Sequence, residues 1–167
     1  MTDKSWTEIQ SLGVKAASGA AVPPAQALAF GAMVARHLSD GGSEDPLHAA
    51  LNAPDTILTL AHEIEAMVEA ASVSTRIVSA QQPDAGQRAL LISWLASLPC
   101  QADIVTHENA VQAHLSLKAP STRTRPARIA ISPSLFSHMQ DLATRTYVPD
   151  SAASRTSGAG AGLMELD

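Results

Sequence analysis

The sequence predicts an α+β fold in which a helical N-terminal half packs on a small, mainly antiparallel sheet of about four strands. Apolar residues recur at helical spacing through residue 71, several later segments alternate apolar and polar residues, and a last helix precedes an extended, glycine-rich tail. The length of 167 residues suits one domain. Its predicted parts are a helical part (1–71), a mixed strand and helix part (72–147) and the tail (148–167).

Two helices are predicted at the start of the chain. Ser5 and Glu8 form a capping-box pattern, in which each side chain accepts a hydrogen bond from the other residue's backbone N–H. Pro24 occupies a favoured first position for the second helix. Gly13 and Gly31 are expected to let the two backbones approach closely, because glycine has no side chain. The predicted inner faces are Trp6, Ile9, Gly13, Ala16 and Ala17 in the first helix, and Leu28, Gly31, Ala32, Ala35 and Leu38 in the second.

Two further helices are predicted before residue 72. A short one runs from Asp45 through Leu51, and Pro54 ends it because proline interrupts a helix. The next has the most regular helical spacing in the chain, with Asp55 as its predicted cap. Its predicted inner face consists of Ile57, Leu60, Ala61, Ile64, Met67, Val68 and Ala71, while His62, Glu63, Glu65 and Glu69 are expected to point outward.

The spacing of apolar residues changes after residue 71. A strand is predicted where Val73, Thr75 and Ile77 alternate with their neighbours, and a loop follows at 81–86. The segment 89–98 fits either the apolar face of a helix or a buried strand, and we favour the helix.

A hairpin and a last strand and helix complete the predicted domain. Segments 102–107 and 111–118 predict two strands joined by a tight turn. A polar loop at 119–126 leads to a short strand at 128–131. The Ser-Pro pair at 132–133 is a good helix start, and the inner face of that helix is predicted to be Phe136, Met139, Leu142 and Ala143.

Composition excludes several classes of function. Hydrophobic residues make up 46% of the chain but aromatic residues only 3%, so alanine and leucine must form most of the core. A net charge of −5 argues against a nucleic-acid partner, which usually meets a basic face. The single Cys100 excludes an internal disulfide and a multi-cysteine metal site, and it fits a reducing compartment. With no apolar signal segment and no apolar run of membrane-spanning length, we expect a cytoplasmic protein without a membrane partner, cofactor or metal.

Histidine motifs are weak. His62 and Glu63 begin like a zinc-protease helix, but the second histidine of that motif would fall at Ala66. His107 and His114, with Glu108, are the best remaining metal or acid–base cluster if the hairpin brings them together, although nothing fixes a further ligand. Solvated histidines are the more common explanation of such a pattern.

Other motifs are equally incomplete. The glycines of the tail lack the strand, the spacing and the following helix of a dinucleotide fingerprint. Cys100 has no evident activating neighbour, which indicates an inert thiol. Arg123, Arg125 and Arg128 form a small basic cluster that is either a solvated loop or a contact for an anion.

The least generic stretch is the end of the chain, from Thr146 through the tail. Pro149 ends the preceding helix, and glycines then alternate with alanines. Successive glycine amides can form an anion-binding nest, to which serine hydroxyls and a guanidinium add donors. The tail is therefore interpreted as a frayed terminus, an arm onto a partner subunit, or a ligand site. The candidate ligand-binding residues are Tyr147, Ser151, Ser154, Arg155, Gly158 and Gly160.

Two blocks of sequence carry a resemblance to a known family. The first runs from Trp6-Thr7-Glu8-Ile9 to the Lys-Ala-Ala-Ser-Gly-Ala segment at 15–20, and the second runs from Tyr-Val-Pro at 147–149 through Ser-Arg at 154–155 to 158–162. Over most of its length the chain resembles the bacterial family called domain of unknown function 3726. The resemblance implies a bacterial, intracellular protein and transfers no catalytic residue, because the family has no assigned activity.

The sequence departs from that family's pattern at two places. The family tends to have glycine or tryptophan where Pro24 and Ala25 stand, and it tends to close on Asp-Asn-Asp where this chain has residues 164–167. A role of the terminal carboxylates in relatives would therefore not transfer here.

Two functions remain open from the sequence. The first and preferred hypothesis is a non-catalytic module that binds another protein or forms a homo-oligomer, such as a dimer. The second is an enzyme or binder for an anionic small molecule held by the tail, with His107 or His138 as a proton-transfer group.

Overall fold

The predicted α+β class is confirmed by the computed structural model, which describes residues 2–74 and 77–146. Helices dominate the first half and the longer strands follow, as the change of spacing indicated. In chain order the elements are β1 (Thr2–Lys4), α1 (Trp6–Gly19), α2 (Pro24–Ser39), α3 (Asp45–Asn52), α4 (Pro54–Val73), β2 (Val78–Gln81), α5 (Ala85–Ser97), β3 (Cys100–Thr106), β4 (Ala110–Pro120), β5 (Ile129–Ile131) and α6 (Pro133–Thr144).

The strands form two separate antiparallel sheets rather than one sheet of about four strands. One sheet has the order β2-β4-β3, and its β3–β4 pair is the predicted hairpin. The predicted fourth strand, β5, pairs instead with β1 at the start of the chain, Thr2 lying opposite Ile131. The sequence missed β1 because a strand of three residues is too short to show alternation.

Helices α1 and α2 meet through glycine, as predicted. A Cβ atom added at Gly31 would lie 2.6 Å from the carbonyl oxygen of Gln10 and 2.9 Å from the backbone nitrogen of Val14. Only a residue without a side chain allows this spacing. The capping box also forms: Ser5 Oγ accepts from the Glu8 N–H at 3.2 Å, and a Glu8 carboxylate oxygen accepts from the Ser5 N–H at 2.8 Å.

Helix α2 is surrounded by other elements, and the face that it buries is wider than the predicted inner face. Leu28 was expected to be buried but is 60% exposed. The second half of α2 is buried on nearly all sides because it packs against α1, α5, α4 and β5. Its buried residues include Phe30, whose ring meets the ring of Trp94 in α5 edge-on, with 6.3 Å between centroids.

Two boundaries around α4 differ from the prediction. The helix begins at Pro54, so that Asp55 lies in its first turn and is not the cap. It continues through Val73, which was expected in a strand, and β2 starts only at Val78. The segment 89–98 is helical almost to its end, since α5 runs to Ser97.

The α4 and α5 helices cover one face of the three-stranded sheet, and the other face carries mainly polar side chains. Most of the buried apolar residues of the helices and of both sheets belong to one continuous core. Among the helices of residues 2–74 and 77–146, none combines the length and apolar character that crossing a bilayer requires.

Candidate functional site

A cavity of ≈ 530 Å³ lies where the start of α1, the end of α2, the α5–β3 connection and the β4–β5 loop come together. Its volume falls within the usual range for small-molecule pockets. We call it the arginine cavity, because three of its lining residues in the described part of the chain are arginines and none of them is acidic. The lining residues are Trp6, Arg36, Ala96, Ser97, Leu98, Pro99, Pro120, Ser121, Arg123 and Arg125.

Arg36 is the buried cation of the cavity. It comes from α2 and is only 7% exposed, which is costly for a charge unless the charge is paired. Its Nη2 donates to Asp40 Oδ1 at 2.7 Å and to Ser39 Oγ at 2.6 Å. Its Nε has no hydrogen-bond partner in the described part of the chain. Asp40 is therefore the ion-pair partner of Arg36, although one N–H of the Arg36 guanidinium is not satisfied.

The loop between β4 and β5 is held in place by polar contacts. Nη1 of Arg36 donates to the carbonyl oxygen of Thr124 at 3.0 Å. The N–H of Ser121 donates to the carbonyl oxygen of Pro99 at 2.8 Å. Nη2 of Arg123 donates to the carbonyl oxygen of Ala102 at 3.1 Å. These contacts fix the backbone on both sides of Thr124, so the two loop arginines are positioned before any ligand arrives.

Trp6 forms the aromatic wall of the cavity. The Cζ atoms of Arg36 and Arg125 lie 5.2 and 5.3 Å from the centroid of the indole ring, within the range of cation–π attraction. The indole Nε1 donates to Gln10 Oε1 at 3.2 Å, which fixes the orientation of the ring. A guanidinium stacked on an aromatic ring keeps its N–H groups directed outward in its own plane.

The electrostatics of the cavity contrast with those of the whole protein. Among the residues that the structure describes, neither Arg123 nor Arg125 has a carboxylate within ion-pair distance. Both are exposed side chains in a chain of net charge −5. Arg128, the third member of the predicted basic cluster, turns away and lies 3.9 Å from Glu8. The structure thus brings two of these three arginines into the cavity.

The arginine cavity is suited to binding rather than to proton transfer. Arginine stays protonated at any ordinary pH, and the other lining residues are serine, proline, tryptophan and aliphatic residues. None of these residues supplies a general base near neutral pH.

The candidate residues of the tail lie outside the described part of the chain, which ends at Thr146. They are Tyr147, Ser151, Ser154, Arg155, Gly158 and Gly160. The structure therefore neither supports nor contradicts the predicted nest.

The hairpin does not bring His107 and His114 together. His114 lies opposite Asp103, whereas His107 follows the last pair of the ladder, between Thr106 and Val111. Four residue positions along a strand separate the two histidines by roughly 13 Å. His114 instead lies 3.9 Å from the carboxylate of Asp103 on the exposed face. No group of three potential ligands suited to a metal occurs within residues 2–74 and 77–146.

A buried serine–histidine pair resembles part of a catalytic dyad but is structural. Nδ1 of His37 lies 2.8 Å from Ser93 Oγ, and Nε2 donates to the carbonyl oxygen of Ser43 at 2.7 Å. Both residues are buried. A Cβ atom added at Gly42 would lie 2.4 Å from the His37 ring, so the backbone of Gly42 packs directly against the imidazole.

His48 and His138 form a second, partly buried pair between α3 and α6. Their Nδ1 atoms are 2.9 Å apart, so one must donate a proton and the other must accept it. Burial, followed by the charge of His48, holds the pKa of His138 below its usual value. The sequence named His138 only as one possible proton-transfer group, and nothing in the sequence indicated His48 as its partner.

A second cavity, of ≈ 500 Å³, lies between α4 and β2. Glu63 is its acidic residue, and burial raises the pKa of this carboxyl, opposed by a hydrogen bond from Gln82. Glu63 was expected to point to solvent, whereas the structure leaves it partly buried. The remaining lining residues include no further acid, base or cation.

Comparison with protein-family models, with curated proteins and with solved structures finds no match for this chain. The resemblance to domain of unknown function 3726 therefore stays a prediction.

Proposed function

We propose that the protein is a non-catalytic binding module for a small anionic molecule, and that the arginine cavity is its binding site. The observation that carries this proposal is the pairing state of the arginines. Arg36 is matched by Asp40, whereas Arg123 and Arg125 line the same cavity without a carboxylate partner in the described chain. An anion entering the cavity would supply that partner.

The chemistry of the lining favours a carboxylate or phosphate attached to an apolar group. A guanidinium presents parallel N–H donors that match two oxygens of such an anion. Leu98, Pro99 and Pro120 form an apolar wall that would cover the rest of the ligand. The ligand class agrees with the second hypothesis from the sequence, but the site is formed by the cavity and not by the tail.

Calorimetric titration of the full chain with phenyl phosphate and benzoate tests the proposal. We expect binding by the wild type and at least about tenfold weaker binding by Arg125→Gln, because a hydrogen bond to a charged group contributes about 1.5–3 kcal/mol. Arg128→Gln is the matched control, since it removes the same charge from the same loop outside the cavity. Absence of binding to every anion, or equal losses in the two variants, would refute the site.

The same titration separates the cavity from the tail. Arg155→Ala should leave the affinity unchanged if the cavity is the site. If Arg155→Ala weakens binding and Arg125→Gln does not, the site lies in the tail, as the sequence first suggested.

We also propose, as a second candidate function, self-association through an apolar surface at the end of α4. Val73 is 85% exposed at the end of α4, Ile77 is 64% exposed just before β2, and Leu117 is 39% exposed in β4. A cavity of ≈ 730 Å³ is lined by Ala71 and Ser72 of α4 and by residues 114–119. Exposed apolar patches of this kind commonly mark interaction sites. We further propose that the protein is a dimer, cytoplasmic and bacterial, and these three statements rest on the sequence.

A further inference from the structure

We infer that the arginine cavity selects a small dianion, and specifically a phosphate monoester that carries an apolar group. This inference rests on the proposed function and adds the charge and the class of the ligand. Its basis is the number of cavity arginines that have no carboxylate partner in the described chain and the contacts that hold these arginines in place.

The charge of the ligand follows from the pairing of the arginines. Three guanidinium groups line the cavity, and the one on Arg36 is 2.7 Å from the carboxylate of Asp40. The other two, on Arg123 and Arg125, have no carboxylate within ion-pair distance in residues 2–74 and 77–146. Two positive charges without a carboxylate partner attract a doubly charged anion more strongly than a singly charged one. A singly charged ligand would leave one of them unpaired.

The arrangement of donors favours two charges on one head group. Arg123 and Arg125 are separated by one residue, Thr124, whose carbonyl oxygen is held by Arg36. Nη2 of Arg123 is engaged by Ala102, which leaves Nε and Nη1 for a ligand. The Cζ atom of Arg125 lies 5.3 Å from the centroid of the Trp6 ring, which holds the guanidinium beside the cavity. The three oxygens of a phosphate monoester can accept from both groups at once, whereas a carboxylate has only two.

The pH dependence of binding should come from the ligand alone. Among the described residues, no histidine, cysteine, lysine or acidic residue lines the cavity. Near the cavity, Asp40 is paired with Arg36, and Glu8 lies 3.9 Å from Arg128. Hydrogen bonds from Ser5 hold the pKa of Glu8 below its usual value, so Glu8 stays ionised at mildly acidic pH. A phosphate monoester, by contrast, gains its second charge near a pKa of about 6.

Calorimetry on the full chain at about pH 5 and about pH 7.5 therefore tests the inference, with phenyl phosphate as the probe. We expect its affinity to rise about tenfold with pH, while phenyl sulfate, a monoanion at both values, binds weakly and equally. Arg123→Gln and Arg125→Gln should each flatten this rise, and Arg128→Gln should not. Thermal unfolding of each variant confirms that it is folded.

Three other outcomes would contradict the inference in whole or in part. Phenyl sulfate binding as tightly as phenyl phosphate at the higher pH would overturn the dianion, although the proposed function would stand. Phthalate, a dicarboxylate, binding more tightly than phenyl phosphate would overturn the phosphate monoester. Failure of all three probes to bind would overturn both the inference and the proposed function.

Discussion

Arg36 joins the core to the candidate site. Its backbone belongs to the most buried helix, and its guanidinium reaches Asp40, Trp6 and the carbonyl oxygen of Thr124. Burying a cation is tolerated here because a carboxylate and an indole face compensate it. Arg36 would not be the first residue to contact the anion. It positions the β4–β5 loop, and the arginines of that loop would contact the anion first.

At the residue scale, the pair formed by His48 and His138 makes stability depend on pH. The pKa of His138 is lowered in the folded protein, so the folded state takes up this proton less readily than the unfolded chain. The contribution of His138 to the free energy of unfolding is fully present above its pKa in the unfolded chain, about 6.5. This contribution is lost as the pH falls through the lower pKa of His138 in the folded protein. We expect the urea midpoint to fall on acidification.

His138→Asn should reduce this dependence on pH, because asparagine does not titrate. His62→Asn provides the control, since His62 is exposed on α4. Equal slopes of the urea midpoint against pH in the wild type and in His138→Asn would show that the pair has no such effect.

At the scale of elements, the contact between α1 and α2 depends on Gly31. Gly31→Ala would place a methyl group against the backbone of Gln10 and Val14 in α1. We expect the free energy of unfolding to fall by about 1–3 kcal/mol, the usual cost of overpacking. Alanine in place of glycine normally stabilises a helix interior by about 0.5–1 kcal/mol, so the sign of the change is informative.

Gly86→Ala is the matched control for this substitution. Gly86 also lies in a helix, but the three atoms nearest to its added Cβ would be side-chain atoms of Asp84 and Pro46, at 3.3 Å or more, and none of them is a backbone atom. Denaturant unfolding should find that this variant loses less stability than Gly31→Ala. A Gly31→Ala protein of unchanged stability would contradict the close packing of α1 and α2.

Most elements could be predicted from the sequence because their signals are local. Caps such as Ser5 and Ser132, and the regular apolar spacing of α4, depend on residues a few positions apart. The errors occur where contacts with distant parts of the chain determine the local structure. Val73 continues a helix instead of starting a strand, and the partner of β5 lies more than a hundred residues away at Thr2–Lys4.

The candidate site was predictable only in part for the same reason. The two loop arginines stand close together in the sequence and could be recognised as a basic cluster. Trp6 lies in α1 and Arg36 lies in α2, and only the folded structure shows that both residues contact the loop. From the sequence, the candidate ligand-binding residues were instead predicted in the tail, because its composition is unusual.

At the scale of the whole molecule, the apolar surface at the end of α4 predicts self-association. Multi-angle light scattering should find a dimer of the full chain, and Leu117→Asp should shift it towards the monomer by placing a charge on that surface. Leu28→Asp is the control, because Leu28 is exposed on α2.

A chain that ends at residue 147 shows whether the tail takes part in this association. A monomer for both the full and the shortened chain would remove the second candidate function. A dimer of the full chain only would assign the contact to the tail.

The central claim is that an anion occupies the arginine cavity, and nitrogen–proton correlation spectra of the two tryptophan indoles test it most directly. Trp6 borders the cavity and Trp94 is buried in the core against Phe30. On titration with phenyl phosphate, the Trp6 indole signal, assigned with Trp6→Phe, should shift progressively to saturation while that of Trp94 stays in place. If the Trp6 signal does not move at any concentration, or moves equally in Arg125→Gln, the anion does not bind in this cavity.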